Sequence, residues 1–198
     1  RFMRDPQSVH IKRNTLTLPA IEQRYYLVHE NDKTNALTRL FEIEPIHSAL
    51  IFARTRAETA TLANELVVRG IPAEAIHGDL DQRQRTQTLD GFRDGTIRFL
   101  VASDVAARGL DIPAVSHVFN FDVPSHAEDY VHRIGRTGRA GRKGVSVTIA
   151  TPGDKKYLDA IEGLVKTSLP RVPAPEGFVL SEAAQRPARK DDERGKPR

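Results

Sequence analysis

Ser48–Val68 reads SALIFARTRAETATLANELVV, and its two halves follow different rules. Residues 48–53 form a run of small and apolar side chains with no polar alternation, which suits a strand of a parallel sheet covered on both faces. Thr55 then stands three residues before Glu58, the spacing of a capping box, and Leu62, Ala63, Leu66 and Val67 follow at helical intervals. A buried strand leading directly into a capped helix is the repeating unit of an α/β fold.

The same unit recurs on either side. Further strands are predicted at Gln23–Val28, Ala73–Ile76, Ile97–Ala102, Val115–Phe119 and Val145–Ile149. Ser125 with Glu128 repeats the capping-box spacing. Thr151 followed by Pro152 opens a helix whose apolar face is Tyr157, Leu158, Ile161, Leu164 and Val165. Alternating strands and helices predict a doubly wound parallel sheet with helices on both faces. In such sheets, ligands meet the loops at the carboxyl ends of the strands. Ala53–Thr55, His77–Asp81 and Ser103–Asp111 follow strands in this way. After about Ser168 the chain becomes proline-rich and then charged, and residues 169–198 are expected to form an extended basic arm or linker.

With 198 residues the chain holds one domain with extensions, and at 39% hydrophobic it can bury a sizeable core. No apolar run is long enough for a membrane span, and no signal-peptide pattern opens the chain. The absence of cysteine excludes disulfides, thiolate catalysis and Cys-based zinc sites, and fits a cytoplasmic location. The first residue is Arg, so a fragment of a longer protein is expected. The net charge of +4 comes from the ends: residues 1–13 and 186–198 each carry an excess of three positive charges, leaving the body slightly acidic. Bulk charge therefore does not argue for a nucleic-acid partner, and local clustering has to.

Three segments carry such clustering. Arg133–Gly144 reads RIG-RTG-RAG-RKG, with arginine and glycine each recurring every three residues. It lacks the proline of a collagen helix and runs straight into the strand-like VSVTIA. No Walker A loop occurs, so the segment is either a solvated basic loop or a way to bring guanidinium groups to an anion held elsewhere, as in phosphoryl transfer. Val101–Ile112, VASDVAARGLDI, ends a strand in a hydroxyl and a carboxylate. It then reaches Asp111 through a glycine, an arrangement that serves either a helix cap and turn or a ribose hydroxyl. In His77–Arg85, HGDLDQRQR, Asp81 and Gln84 form a capping box, and Gln82 and Arg85 share a face suited to a sugar-phosphate backbone or to solvent. His77, His126 and His132 lack metal-ligand spacing, and no metal site is expected.

In this order the segments resemble the second RecA-like domain of the bacterial DEAD-box RNA helicases, a P-loop NTPase-like fold without the P-loop. Ala49–Thr55 (ALIFART) is similar to motif IV, and His77–Arg85 to the HGD and QxxR elements. Ser103–Asp111 (SDVAARGLD) is similar to motif V, and Tyr130–Arg139 (YVHRIGRTGR) to motif VI. Phe2–Pro6 resembles the interdomain linker. The resemblance implies a linker and lead-in over 1–22, a helicase C-terminal domain over 23–168, and the arm beyond.

It also implies roles for matching positions. Arg136 and Arg139 would be arginine fingers at the γ-phosphate of ATP, and His132 would link this domain to the partner domain's catalytic motifs. Asp111, with Gly109 before it, would hold the ribose. Thr55, Gly78, Gln82, Arg85 and Ser103 would contact the RNA backbone; Ser103 stands where the family usually has Thr. The Walker A, DEAD and SAT motifs of the first RecA-like domain do not occur here. ATP and Mg²⁺ would therefore be held largely by that N-terminal domain, and this chain alone is expected to be inactive. The resemblance also allows a homodimer formed through regions beyond this chain. Alternatives are a non-catalytic RNA-binding or interaction module of the same fold, and a DNA-directed relative.

Overall fold

The computed structural model describes residues 21–175 together with Gly177 and Phe178. The linker resemblance at Phe2–Pro6 and the charged end of the arm lie outside the described residues. The chain runs β1 (Ile21–Leu27), α1 (Lys33–Ile43), β2 (Ala49–Phe52), α2 (Arg56–Val68), β3 (Ala73–Ile76), α3 (Gln82–Asp94), β4 (Phe99–Ala102), α4 (Asp104–Ala107), β5 (His117–Asn120), α5 (Ala127–Ile134), β6 (Gly144–Ala150), α6 (Lys155–Val165) and β7 (Arg171–Val172). The strands form one seven-stranded sheet in the order β3-β4-β2-β5-β6-β1-β7, with every pairing parallel.

The apolar runs behave as two-sided strands. All four residues of β2 and of β4 are buried. Ala49 and Ile51 face a core with Ala36, Leu37 and Leu40 of α1 and Leu62, Ala63 and Leu66 of α2. Leu50 and Phe52 face the opposite core, with Leu89 and Phe92 of α3. A third cluster joins Tyr130 and Ile134 of α5 to Leu158, Ile161 and Val165 of α6. Two of the capping boxes form as read: Thr55 Oγ1 accepts from Glu58 N at 3.2 Å, and Asp81 Oδ1 from Gln84 N at 2.7 Å.

The structure departs from the sequence reading in several places. Val67 is exposed rather than core, because α2 turns it away from the sheet beside Val68. Ser125 does not cap α5: His126 is the capping residue, and the Ser125 hydroxyl meets the His126 ring at 3.2 Å. Pro152 opens a single 3-10 turn, Pro152–Asp154, before α6 begins at Lys155. The sheet also continues past Ser168, since Arg171 and Val172 pair with Tyr25 and Tyr26.

One contact orders the Arg-Gly segment. Thr137 Oγ1 donates to Val115 O at 2.6 Å and Ser116 O at 3.0 Å, and Val115 N donates to Arg136 O at 3.0 Å. Val115 is thereby diverted from β5 into an isolated bridge with Thr137. The segment then turns back through Gly138 and Gly141, both at positive φ, and seats against Gly144 at the start of β6. A Cβ on Gly144 would come within 2.3 Å of Gly138 N and 2.5 Å of Thr137 Oγ1. Gly144→Ala should therefore force backbone movement and destabilise the domain by about 2–3 kcal/mol, seen as a lower thermal midpoint. An unchanged midpoint would mean that the two segments separate freely.

Candidate active site and nucleic-acid interface

A cleft of about 860 Å³ opens over the three post-strand segments singled out in the sequence. Arg54 and Arg56 reach it after β2, Gly78 and Arg85 after β3, and Ser103, Val105 and Arg108 after β4. His126 and Asp129 at the start of α5 complete the wall. A small depression adjoins this cleft; Asp104, Arg108 and Asp129 line both, and His132, Arg133 and Arg136 line the smaller one.

The floor between them is held by Arg133, which is 2% exposed. Its Nε and Nη2 donate to the two carboxylate oxygens of Asp104 at 2.7 Å each. Nη1 donates to Asp122 O at 2.6 Å and to Asn120 Oδ1 at 3.3 Å, and the guanidinium lies 4.9 Å from the Phe52 ring centre. Asp122 in turn accepts from Arg54 N at 2.8 Å and pairs with the buried ammonium of Lys33. Asn120 donates to Thr148 Oγ1 at 3.1 Å in β6. One buried guanidinium thus fixes α4, α5, the end of β5 and, through Asp122, the start of the loop after β2. The opposite end of the same helix face is tied by Tyr130, whose hydroxyl donates to Gln23 Oε1 at 2.9 Å. Burial pushes that phenol up to about 12, so it remains a donor.

Arg136, one turn beyond Arg133, is only half-buried. Its guanidinium donates to Leu110 O at 3.5 Å and Ala107 O at 3.4 Å, both at the weak end of hydrogen bonding. Among the described residues no carboxylate lies within ion-pair distance of it; Asp129 is bonded instead by Arg108 at 2.6 Å. Burial, and then the charge of Arg139, lower its pKa from the ordinary arginine value. An anion would relieve both effects. Arg139 is exposed and donates through Nε to Gly135 O at 2.6 Å.

The other residues read from the sequence are placed as follows. His132 is exposed at the edge of the Arg136 depression. Gly109 takes φ +74°, turning the chain after α4, and Asp111 stands in solvent, 96% exposed, at 3.7 Å from Arg93 of α3. Ser103 caps α4, accepting from Ala106 N at 3.3 Å, while lining the cleft. Gly78 and Arg85 line it too, and the buried Nε of Arg85 has no hydrogen-bond partner. Thr55 and Gln82 are exposed at the starts of α2 and α3 but do not line the cleft. The Arg-Gly repeat is therefore not uniform: Arg133 is a buried tie rather than an anion ligand. Its position three residues after Tyr130 and one before Ile134, on the apolar face of α5, was the available signal. Arg54, Arg56 and Arg108 carried no assignment in the sequence reading.

Residues 32–141 fit the family described as helicase conserved C-terminal domain. The chain belongs to that family. Within it, this helicase domain is a second RecA-like domain of the DEAD-box RNA helicase type. It is 47% identical to the DEAD-box ATP-dependent RNA helicase CshA of Geobacillus kaustophilus, over 94% of this chain and 40% of that protein. It resembles E. coli SrmB, solved with regulator of ribonuclease activity A, at 35% identity and a TM-score of 0.73, covering 82% of this chain and 98% of the other. Yeast (S. cerevisiae) Dbp5 bound to RNA and ADP BeF3 matches at 37% identity and a TM-score of 0.73, over 78% of this chain and 42% of Dbp5. The chain spans about 40% of the length of the curated relatives it matches.

Replacing Arg133 by lysine keeps the charge but loses the planar fork, leaving Asp104 and the Asp122 carbonyl incompletely bonded. Arg133→Lys should cost about 3 kcal/mol and lower the melting temperature of the helicase domain by roughly 6–12 °C. A shift of under about 2 °C would show that lysine can replace the fork.

Proposed function

We propose that this domain is the ATP- and RNA-facing half of a DEAD-box RNA helicase motor, completed by a first RecA-like domain. The observation that carries the reading is the adjacency of two depressions with different chemistry. One is a wide cleft with four arginines and a serine hydroxyl; the other is a narrow recess presenting Arg136 and His132.

The wide cleft suits a sugar-phosphate backbone. Arg54, Arg56, Arg85 and Arg108 supply charge, Ser103 a hydroxyl, and Gly78 an approach without a side chain. Contacts of this kind position a strand without reading its bases. Thr55 and Gln82, at the rim of the same loops, belong to the same surface.

The narrow recess suits a phosphate. Arg136 holds only weak carbonyl partners there, and its guanidinium is destabilised by burial and by Arg139. Bound ATP supplies a transferable γ-phosphoryl group, on which charge develops as it leaves. Arg136 donates to those oxygens with Arg139 beside it, and His132 faces the partner domain across the recess. Gly109 sets the turn that carries Asp111, whose exposed carboxylate accepts from a ribose hydroxyl. The Walker lysine and the carboxylates that hold Mg²⁺ come from the first domain, so this chain alone turns over no ATP.

Arg136→Lys, made in this chain joined to its first domain and assayed at saturating RNA, should cut kcat at least about tenfold with little change in KM for ATP. The unjoined chain serves as the inactive control. Turnover within about twofold of wild type, in a folded protein, would remove Arg136 from the reaction.

A further inference from the structure

Arg136 and the wide cleft share one short segment. The two carbonyls that accept from Arg136 belong to Ala107 and Leu110, which bracket Arg108 and Gly109. Arg108 reaches the other way, donating through Nη2 to Asp129 Oδ1 at 2.6 Å. The Arg108 side chain is 63% exposed and that of Asp129 only 16%, so the carboxylate is a fixed anchor and the guanidinium the accessible member. The second oxygen of Asp129 faces His126 Nδ1 at 3.9 Å. In the turns of this segment, Ala107 N donates to Ser103 O at 3.0 Å, Arg108 N to Asp104 O at 3.1 Å and Ile112 N to Leu110 O at 3.0 Å. Beyond these turn bonds, Ala107–Leu110 is tied to other elements by the ion pair on the cleft side and two weak hydrogen bonds on the recess side.

We propose that Asp129 is a positioning residue that couples the cleft to Arg136 through Arg108. With the pair closed, the segment keeps Arg136 on its carbonyls. A backbone phosphate of RNA in the cleft takes the Arg108 fork from Asp129, the segment yields, and Arg136 is free to turn to its own anion. The inference rests on the reading of the cleft as the RNA interface and of Arg136 as the γ-phosphate ligand.

Phosphate and carboxylate compete for the same guanidinium geometry, so the exchange needs no new donor. The segment is built to give: α4 is a single turn, Gly109 sits at φ +74°, and bonds of 3.4 and 3.5 Å are near the limit of hydrogen bonding. RNA shifts the equilibrium only because it binds the open arrangement and not the closed one. The coupling then passes through contiguous contacts, each of which a single substitution can cut.

The test uses this chain joined to its first domain, with polyuridylate as the RNA. Asp129→Asn removes the anchor and should raise RNA-free ATP turnover about threefold or more, the scale of a partly exposed ion pair. It should also lower the RNA concentration for half-maximal stimulation, and Asp129→Glu should return both values toward wild type. RNA-free turnover and half-maximal RNA concentration both within about 1.5-fold of wild type in a normally melting Asp129→Asn protein would overturn the coupling. If Arg136→Lys still cuts kcat about tenfold in that case, the assignment of Arg136 stands without it. Should Asp129→Asn melt early, Arg108→Gln breaks the same pair from its exposed side. That variant should show raised RNA-free turnover with weakened stimulation, and unchanged RNA-free turnover would overturn the proposal.

Discussion

The domain depends on one ion pair with a fully buried arginine and a partly buried aspartate. Arg133 and Asp104 come from different helices, 29 residues apart, and meet in a two-bonded fork beneath the candidate site. A buried pair of this kind adds little net stability over well-packed apolar side chains, but breaking it is costly because the remaining charge has nowhere to go. What it contributes here is geometry. The fork fixes α4 against α5, and the further bonds of Arg133 to Asn120 and Asp122 fix both to the end of β5. Arg136 stands one helical turn from that anchor, which is how an arginine with only weak carbonyl partners can still be presented in a defined direction.

Asp122 extends the same logic to the loop after β2. Its carboxylate accepts from the backbone of Arg54 and pairs with Lys33, while its carbonyl receives Arg133. The loop after β2, the first turn of α1 and α5 are therefore not independent. In the proposed function, a strand of RNA leaning on Arg54 and a phosphate on Arg136 would act on one bonded unit, joined through the buried Asp122.

The fold was legible because its strands are buried on both faces. Apolar runs such as Ala49–Phe52 and Phe99–Ala102 leave no room for a half-solvated alternative, and the capping boxes at Thr55 and Asp81 mark where the helices begin. Much of the site was legible too, since the loops after β2, β3 and β4 could be located from the strands alone. The loop after β5 was not, because His126 and Asp129 are ordinary polar residues in the sequence and join the cleft only through the parallel order that sets β5 beside β2. The Arg-Gly repeat misled by its regularity. Its period of three nearly matches a helical turn only up to Gly135, so Arg133 points inward, Arg136 into the recess and Arg139 outward. Arg171 and Val172 show a different limit: two strand residues set between Pro170 and Pro173 carry no periodic signal, and only pairing to β1 reveals them.

The measurement that bears most directly on this account is a double-mutant cycle on thermal and denaturant stability, with Arg133→Met and Asp104→Leu made singly and together. If the fork organises the site, Asp104→Leu strands the buried Arg133 charge and Arg133→Met leaves the partly buried Asp104 unpaired, and the double change should recover at least about 1.5 kcal/mol relative to the sum of the two. Additivity within about 0.5 kcal/mol would contradict it, placing Arg133 and Asp104 in separate environments and leaving Arg136 without its anchor.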